Sequence, residues 1–177
     1  VTNWGASRDR QVNGGRRREL ALSAREGTEK MSLDQEVATL KKIPLFANID
    51  TAKLKLMAFA SERMNFKDGQ TLCRQGDAGD AAYIILEGDA DVSIQTDEGP
   101  LTVAQMGAND IVGEIAILID VGRTATVTAK GDVVTLMITK ELFFRVVKDF
   151  PEIGIEVMRV LAHRLENTNK QLRELRG

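Results

Sequence analysis

The sequence predicts a mainly β fold flanked by helices: short antiparallel strands forming a unit of β-roll size, with helices ahead of it and a long helix behind. Three observations carry that expectation. Glycines at 69, 76, 79, 88, 99, 107, 113, 122 and 131 punctuate strand-like runs in which Val, Ile and Thr are prominent, and strands recurring every ~8–12 residues fit a sandwich or barrel better than βαβ units. Before and after this region, apolar residues recur at three- and four-residue spacing, the period of a helix with one buried face. At 43% hydrophobic content, 177 residues are enough for one domain with a core plus an extension.

Taken in order, residues 1–30 are rich in Gly, Ser, Asn and Arg without sustained periodicity, so a polar, disordered tail is expected, apart from a helical turn around residues 19–25. Seven Lys/Arg against four acids give this tail a net charge of +3; the whole chain is −2, leaving −5 for residues 31–177. An acidic body is a poor nucleic-acid surface, and the tail reads as a solvated charge run. The domain is expected over residues 31–177. "MSLDQEVATLKKIPLF" gives a helix capped by Ser32, with Leu33, Val37 and Leu40 on one face and Pro44 as its stop. "IDTAKLKLMAFASERM" gives a second helix, capped by Asp50 or Thr51.

The β-roll is expected over about 62–139, with strands in "QTLCRQ", "AAYIILE", "ADVSIQ", "LTVAQM", "TATVTA" and "VVTLMIT". Helices follow over about 140–176. "KELFFRVVKDF" buries Leu142, Phe143, Val146 and Val147, and Pro151 breaks it. The last helix places Met158, Leu161, Leu165, Thr168, Leu172 and Leu175 at alternating steps of three and four. That stripe fits a homodimer seam or, equally, packing on the chain's own β core.

Several functions are disfavoured. No apolar run approaches the ~18 residues of a membrane helix. A single cysteine, Cys73, excludes an internal disulfide and fits a reducing, cytoplasmic compartment. With one His (His163) and one Cys, a Cys/His metal site is not expected, and the turn carboxylates lack calcium-loop spacing. No triad, paired-carboxylate cleft or G-x-x-x-x-G-K-[ST] loop stands out, so no enzyme activity and no catalytic cofactor are expected.

The chemistry concentrates in "IVGEIAILIDVGRTATV", residues 111–127. A short helix begun at Gly113-Glu114 aims free N–H groups into a shared concavity, as anion sites do. Arg123, returning on the next strand, offers a forked cation suited to a phosphate, with the small neighbours Thr124, Ala125 and Thr126 leaving room. A carboxylate beside an anion site makes sense if Glu114 accepts hydrogen bonds from sugar hydroxyls while Arg123 offsets its charge. The plain alternative for these two residues is a helix-start Glu ion-paired with an Arg.

Together with "DGQTLCRQGDAGDAAYIILEGDADVSI", this segment resembles the cyclic-nucleotide-binding domains of protein kinase A regulatory subunits and the bacterial catabolite activator, over about residues 45–150. The resemblance implies a jelly-roll-like β-roll and a phosphate-binding cassette in which Glu114 takes the ribose 2′-hydroxyl and Arg123 the cyclic phosphate. Backbone amides near Ala116 and Thr124 complete the cradle, and Gly113 shapes the approach; Ile115 and Ala125 belong to the same cassette. Where the family often has aromatic residues just before the cassette, this chain has Ile111-Val112. Thr124 stands where a hydroxyl can bond a guanine amino group, but Thr is also found in cyclic-AMP-binding relatives. The expected ligand is cyclic AMP, with cyclic GMP as the alternative. The expected function is a stand-alone sensor that relays binding through its flanking helices to another protein. A fragment of a catabolite-activator-type regulator and a degenerate domain used for protein contacts are the alternatives; no DNA-binding unit is expected after the last helix.

Overall fold

The computed structural model describes residues 32–43, 46–47 and 49–174. The expected tail, the stop at Pro44 and the seam position Leu175 lie outside them. Helix α1 (Leu33–Leu40) opens with a capping box, in which Ser32 accepts from the Gln35 N–H and the Gln35 side chain accepts from the Ser32 N–H. Helix α2 (Thr51–Ala60) is capped by Asp50, which accepts from the Ala52 N–H.

The sequence expectation carries this second helix through Met64, whereas the chain turns at Ser61 into strand β1 (Glu62–Phe66). Met64 and Phe66 are buried while their neighbours are not, and that two-residue period belongs to a strand.

Five further strands follow: β2 (Thr71–Cys73), β3 (Ala81–Thr96), β4 (Gly99–Met106), β5 (Ile111–Val112) and β6 (Thr126–Thr139). They form one antiparallel sheet ordered β1-β6-β3-β4, with β2 added to β6 and β5 to β3. The runs "AAYIILE" and "ADVSIQ", expected as two strands, are one strand, as are "TATVTA" and "VVTLMIT". Gly88 does not end β3: its φ of +83° and the register shifts on either side of Glu87 mark an irregularity that bends the strand.

Alternation along β3 feeds two cores. Ala82 and Ile84 join Leu136 and Ile138 under the helices, against Leu54, Met57, Phe143 and Val157. Tyr83 and Ile85 face into the roll with Phe66, Leu72, Val112, Val127 and Val133.

Between β5 and β6 lies a short helix, α3 (Glu114–Leu118). Helix α4 (Lys140–Asp149) is capped by Thr139, and α5 (Pro151–Glu174) is the long terminal helix. Helix α5 docks through Ile153 and Val157, with Val160 and Leu161 partly covered. Leu161 of the expected seam belongs to this docked side, whereas the seam positions Met158, Leu165 and Leu172 are each more than half exposed. Of the two uses foreseen for that stripe, packing on the body is made by Leu161 and by the neighbouring residues Ile153, Val157 and Val160.

Candidate functional site

Site geometry starts at Gly113. This residue is the N-cap of α3 with φ +82°, a left-handed conformation that other residues adopt at a cost. Its carbonyl oxygen accepts from Arg123 Nη1 at 3.1 Å, and a Cβ built on it would overlap that same nitrogen. Gly113→Ala is therefore expected to displace the guanidinium and to weaken ligand binding by at least about tenfold, read by titration calorimetry, with the β-roll's circular dichroism retained.

Arg123 precedes β6 and is 5% exposed. Its backbone is tied to the upstream Gly76-Asp77 turn by an exchange of hydrogen bonds: Gly76 N–H to Arg123 O at 2.8 Å and Arg123 N–H to Asp77 O at 2.8 Å. The guanidinium stands 5.9 Å from the Tyr83 ring centroid, within cation–π range, and 3.8 Å from Asp80 Oδ1. Among the described residues this buried guanidinium is held by a carbonyl, a ring face, one carboxylate at 3.8 Å and, at longer range, the charge of Glu114, an environment that an anion would complement. Cys73, buried on β2, feels the charge of Arg123, but burial pushes its thiol up from its ordinary range.

Glu114, the first residue of α3, is 1% exposed. Its Oε1 accepts from Arg164 Nη1 of α5 at 2.6 Å, and Arg164 Nη2 donates to Ile111 O at 2.5 Å. Burial holds the Glu114 carboxyl above its usual range, against the opposing pull of Arg164 first and of Arg123 after it. The sequence expectation assigned the offset of this charge to Arg123; the larger share comes from Arg164, because that guanidinium touches the carboxylate.

The remaining cassette residues divide by exposure. Ala116 is buried where a Cβ on Gly79 would overlap its own Cβ, so the 76–80 loop and α3 interlock. Ile115 is 39% exposed, Thr124 is exposed and Ala125 half-buried. Three residues missed from sequence complete the surroundings: Asp80, Tyr83 and Arg164. For Arg164 a signal existed. The inward stripe Ile153, Val157, Val160 reaches position 164 at the next helical step, where it carries a charge.

Among the described residues no cluster of His, Cys, Asp or Glu could hold a metal ion, and no helix is long and apolar enough to cross a membrane.

Known proteins are similar to this chain in sequence and fold. The family model for the cyclic nucleotide-binding domain matches residues 63–150. The chain is similar to a cAMP-dependent protein kinase regulatory subunit of Dictyostelium discoideum, 37% identical over 110 residues, which are 60% of this chain and 34% of the relative. It is also similar to a CRP-like cAMP-activated global transcriptional regulator of Mycobacterium tuberculosis, 28% identical over 139 residues, 77% of this chain and 61% of the relative. The chain thus spans between a third and three fifths of these relatives' lengths. The solved structure of a cyclic nucleotide-binding-like protein from Brucella abortus matches at 30% identity and TM-score 0.55, covering 65% of this chain and 99% of that one.

Proposed function

The chain belongs to the cyclic-nucleotide-binding domain family, and from that premise we propose that it binds a cyclic nucleotide, cyclic AMP ahead of cyclic GMP, as a sensor. Arg123 pairs with the cyclic phosphate. Glu114 accepts the ribose 2′-hydroxyl on the carboxylate oxygen that Arg164 does not engage. Gly113, Ile115, Ala116, Thr124 and Ala125 shape the cradle with backbone and small side chains.

The observation that carries this reading is Arg123: a 5%-exposed guanidinium whose ion-pair partner among the described residues stands 3.8 Å away, seated beside the carboxylate-bearing start of α3. An ordinary structural ion pair closes to hydrogen-bond distance. The kinase regulatory subunit and the transcriptional regulator similar to this chain are both described by their dependence on, or activation by, cAMP, which supports that ligand.

Relay to the helices runs through Arg164. A ligand hydroxyl and Arg164 take the two oxygens of one carboxylate, and binding shifts α5 only as far as the ligand's affinity differs between the docked and undocked helix. Titration of ligand-free protein with cyclic AMP and cyclic GMP by calorimetry tests the function. Saturable one-site binding, tighter for cyclic AMP, is expected; no heat with either nucleotide would refute it.

The exposed stripe Met158, Leu165, Leu172 supports a homodimer through α5. From Leu165 to Glu174 every residue with a described side chain is exposed, and a stub of this length is marginal as a lone helix. Leu165→Glu is expected to convert a dimer into a monomer by sedimentation; a wild-type chain that sediments as a monomer at tens of micromolar would remove the dimer from the mechanism.

A further inference from the structure

Helix α4 begins with a charge of the wrong sign. Lys140 is its first residue, where a helix N-terminus disfavours a cation. A matching oddity stands at the far end of α3. Asp120 has φ +55°, one of two non-glycine residues with positive φ among those described, and the Val121 N–H bonds back to Ala116 O at 3.2 Å. Glycine is usual at that point of a helix C-terminus, and an acid there opposes the helix dipole. The two misplaced charges meet, because Lys140 Nζ donates to Asp120 Oδ1. Each offsets a cost that the other helix end would otherwise carry.

An exposed ion pair by itself contributes little, and the Asp120 side chain is 86% exposed. What sets this pair apart is where its ends are fastened. The Lys140 side chain is only 30% exposed, so its stem is largely held before the pair forms. Its backbone N–H donates to Asp80 O at 2.9 Å, one bond beyond the Ala81–Thr139 pair of the β3–β6 ladder. Asp80 Oδ1 faces the Arg123 guanidinium at 3.8 Å, and Asp77 O of the same loop accepts the Arg123 N–H. Asp120 lies three residues before Arg123, in the segment that carries it. Lys140 therefore grips both chain segments that fix Arg123: residues 77–80 through its backbone and residues 120–123 through its ammonium.

We propose that Lys140 is a positioning residue for the phosphate site, holding the segment from Asp120 to Arg123 against the 77–80 loop so that the guanidinium is set before a ligand arrives. It acts through Asp120 and not by touching the ligand. Its effect on affinity rests on the binding role given to Arg123 above; its effect on the ligand-free chain does not.

Hydrogen exchange on the ligand-free full chain tests the second effect. The Val121 and Arg123 amides, protected by Ala116 O and Asp77 O, are expected to exchange about three- to fivefold faster in Lys140→Met than in the wild type, with β3 and β6 unchanged. Equal rates at these two amides would overturn the proposal. Calorimetric titration with cyclic AMP tests the first. Lys140→Met and Asp120→Asn should each weaken binding about three- to fivefold, the asparagine keeping the left-handed backbone while losing the charge. Lys140→Arg, which retains the charge, should recover most of the loss. The double variant should bind no more weakly than either single one, whereas additive losses would show two separate roles and overturn the pairing. A wild-type chain that takes up no cyclic AMP would defeat the functional reading and leave the exchange rates to decide the role of Lys140.

Discussion

Replacing Arg164 by methionine is expected to destabilise the domain by about 2–3 kcal/mol at neutral pH, because it strands the Glu114 carboxylate in a site that is 1% exposed. The lower end of the range for broken buried pairs applies, since the Arg164 side chain is itself 29% exposed. For a chain of this size the loss corresponds to a fall in Tm of roughly 5–10 °C.

The deficit depends on pH with a definite sign. Burial already raises the Glu114 carboxyl in the folded chain above its ordinary 4.5, and losing its main cationic partner raises it further. A raised acid binds its proton more tightly when folded, so stability falls as pH rises from about 4.5 through the folded value and levels off above it. The variant should therefore approach wild-type stability in acid and diverge toward neutrality. Adding Glu114→Gln to Arg164→Met should recover most of the loss at neutral pH, since both charges are then gone. A pH-independent deficit, or a double variant no better than the single one, would mean that Arg164 contributes packing and not charge.

The second large effect falls on ligand affinity. Arg123→Ala is expected to weaken cyclic AMP binding by about 2–5 kcal/mol, some thirty- to several thousand-fold, because it leaves the phosphate without its cation in a dry site. Arg123→Lys should recover only part of this. A lysine ammonium cannot donate to the Gly113 carbonyl and face the phosphate with the geometry of a planar fork. Calorimetric titration of both variants reads the difference; an Arg123→Ala protein that binds as tightly as wild type would remove Arg123 from the proposed contact. The Arg123 backbone bonds to Gly76 and Asp77 do not involve its side chain, so the loop itself should survive the substitution.

Much of this architecture was legible because it is local. Ser32 and Asp50 act as caps within a few residues of the helices they start, and the start of α3 at Gly113-Glu114 lies in one short motif. Two kinds of feature were not. Strand continuity through Gly88 and Gly131 was hidden because glycine punctuates turns and bends within strands alike; only pairing with neighbours decides between them. Partners distant in sequence were hidden as well. Arg164 reaches Glu114 across fifty residues, and Tyr83 lies beneath the Arg123 guanidinium because that side chain reaches the Gly113 carbonyl, next to Val112, the β5 partner of Tyr83. Neither pairing leaves a local pattern, although a charged side chain on the inward period of α5 was a clue.

The stretch of α5 beyond Arg164 stands clear of the body, which makes it a lever with its pivot at the carboxylate of the cassette. Ten residues of helix project about 15 Å past that pivot, so a tilt of a few degrees where Arg164 grips would sweep the far tip through an ångström or more. A change too small to disturb the roll could in this way become a displacement that a neighbouring molecule can sense.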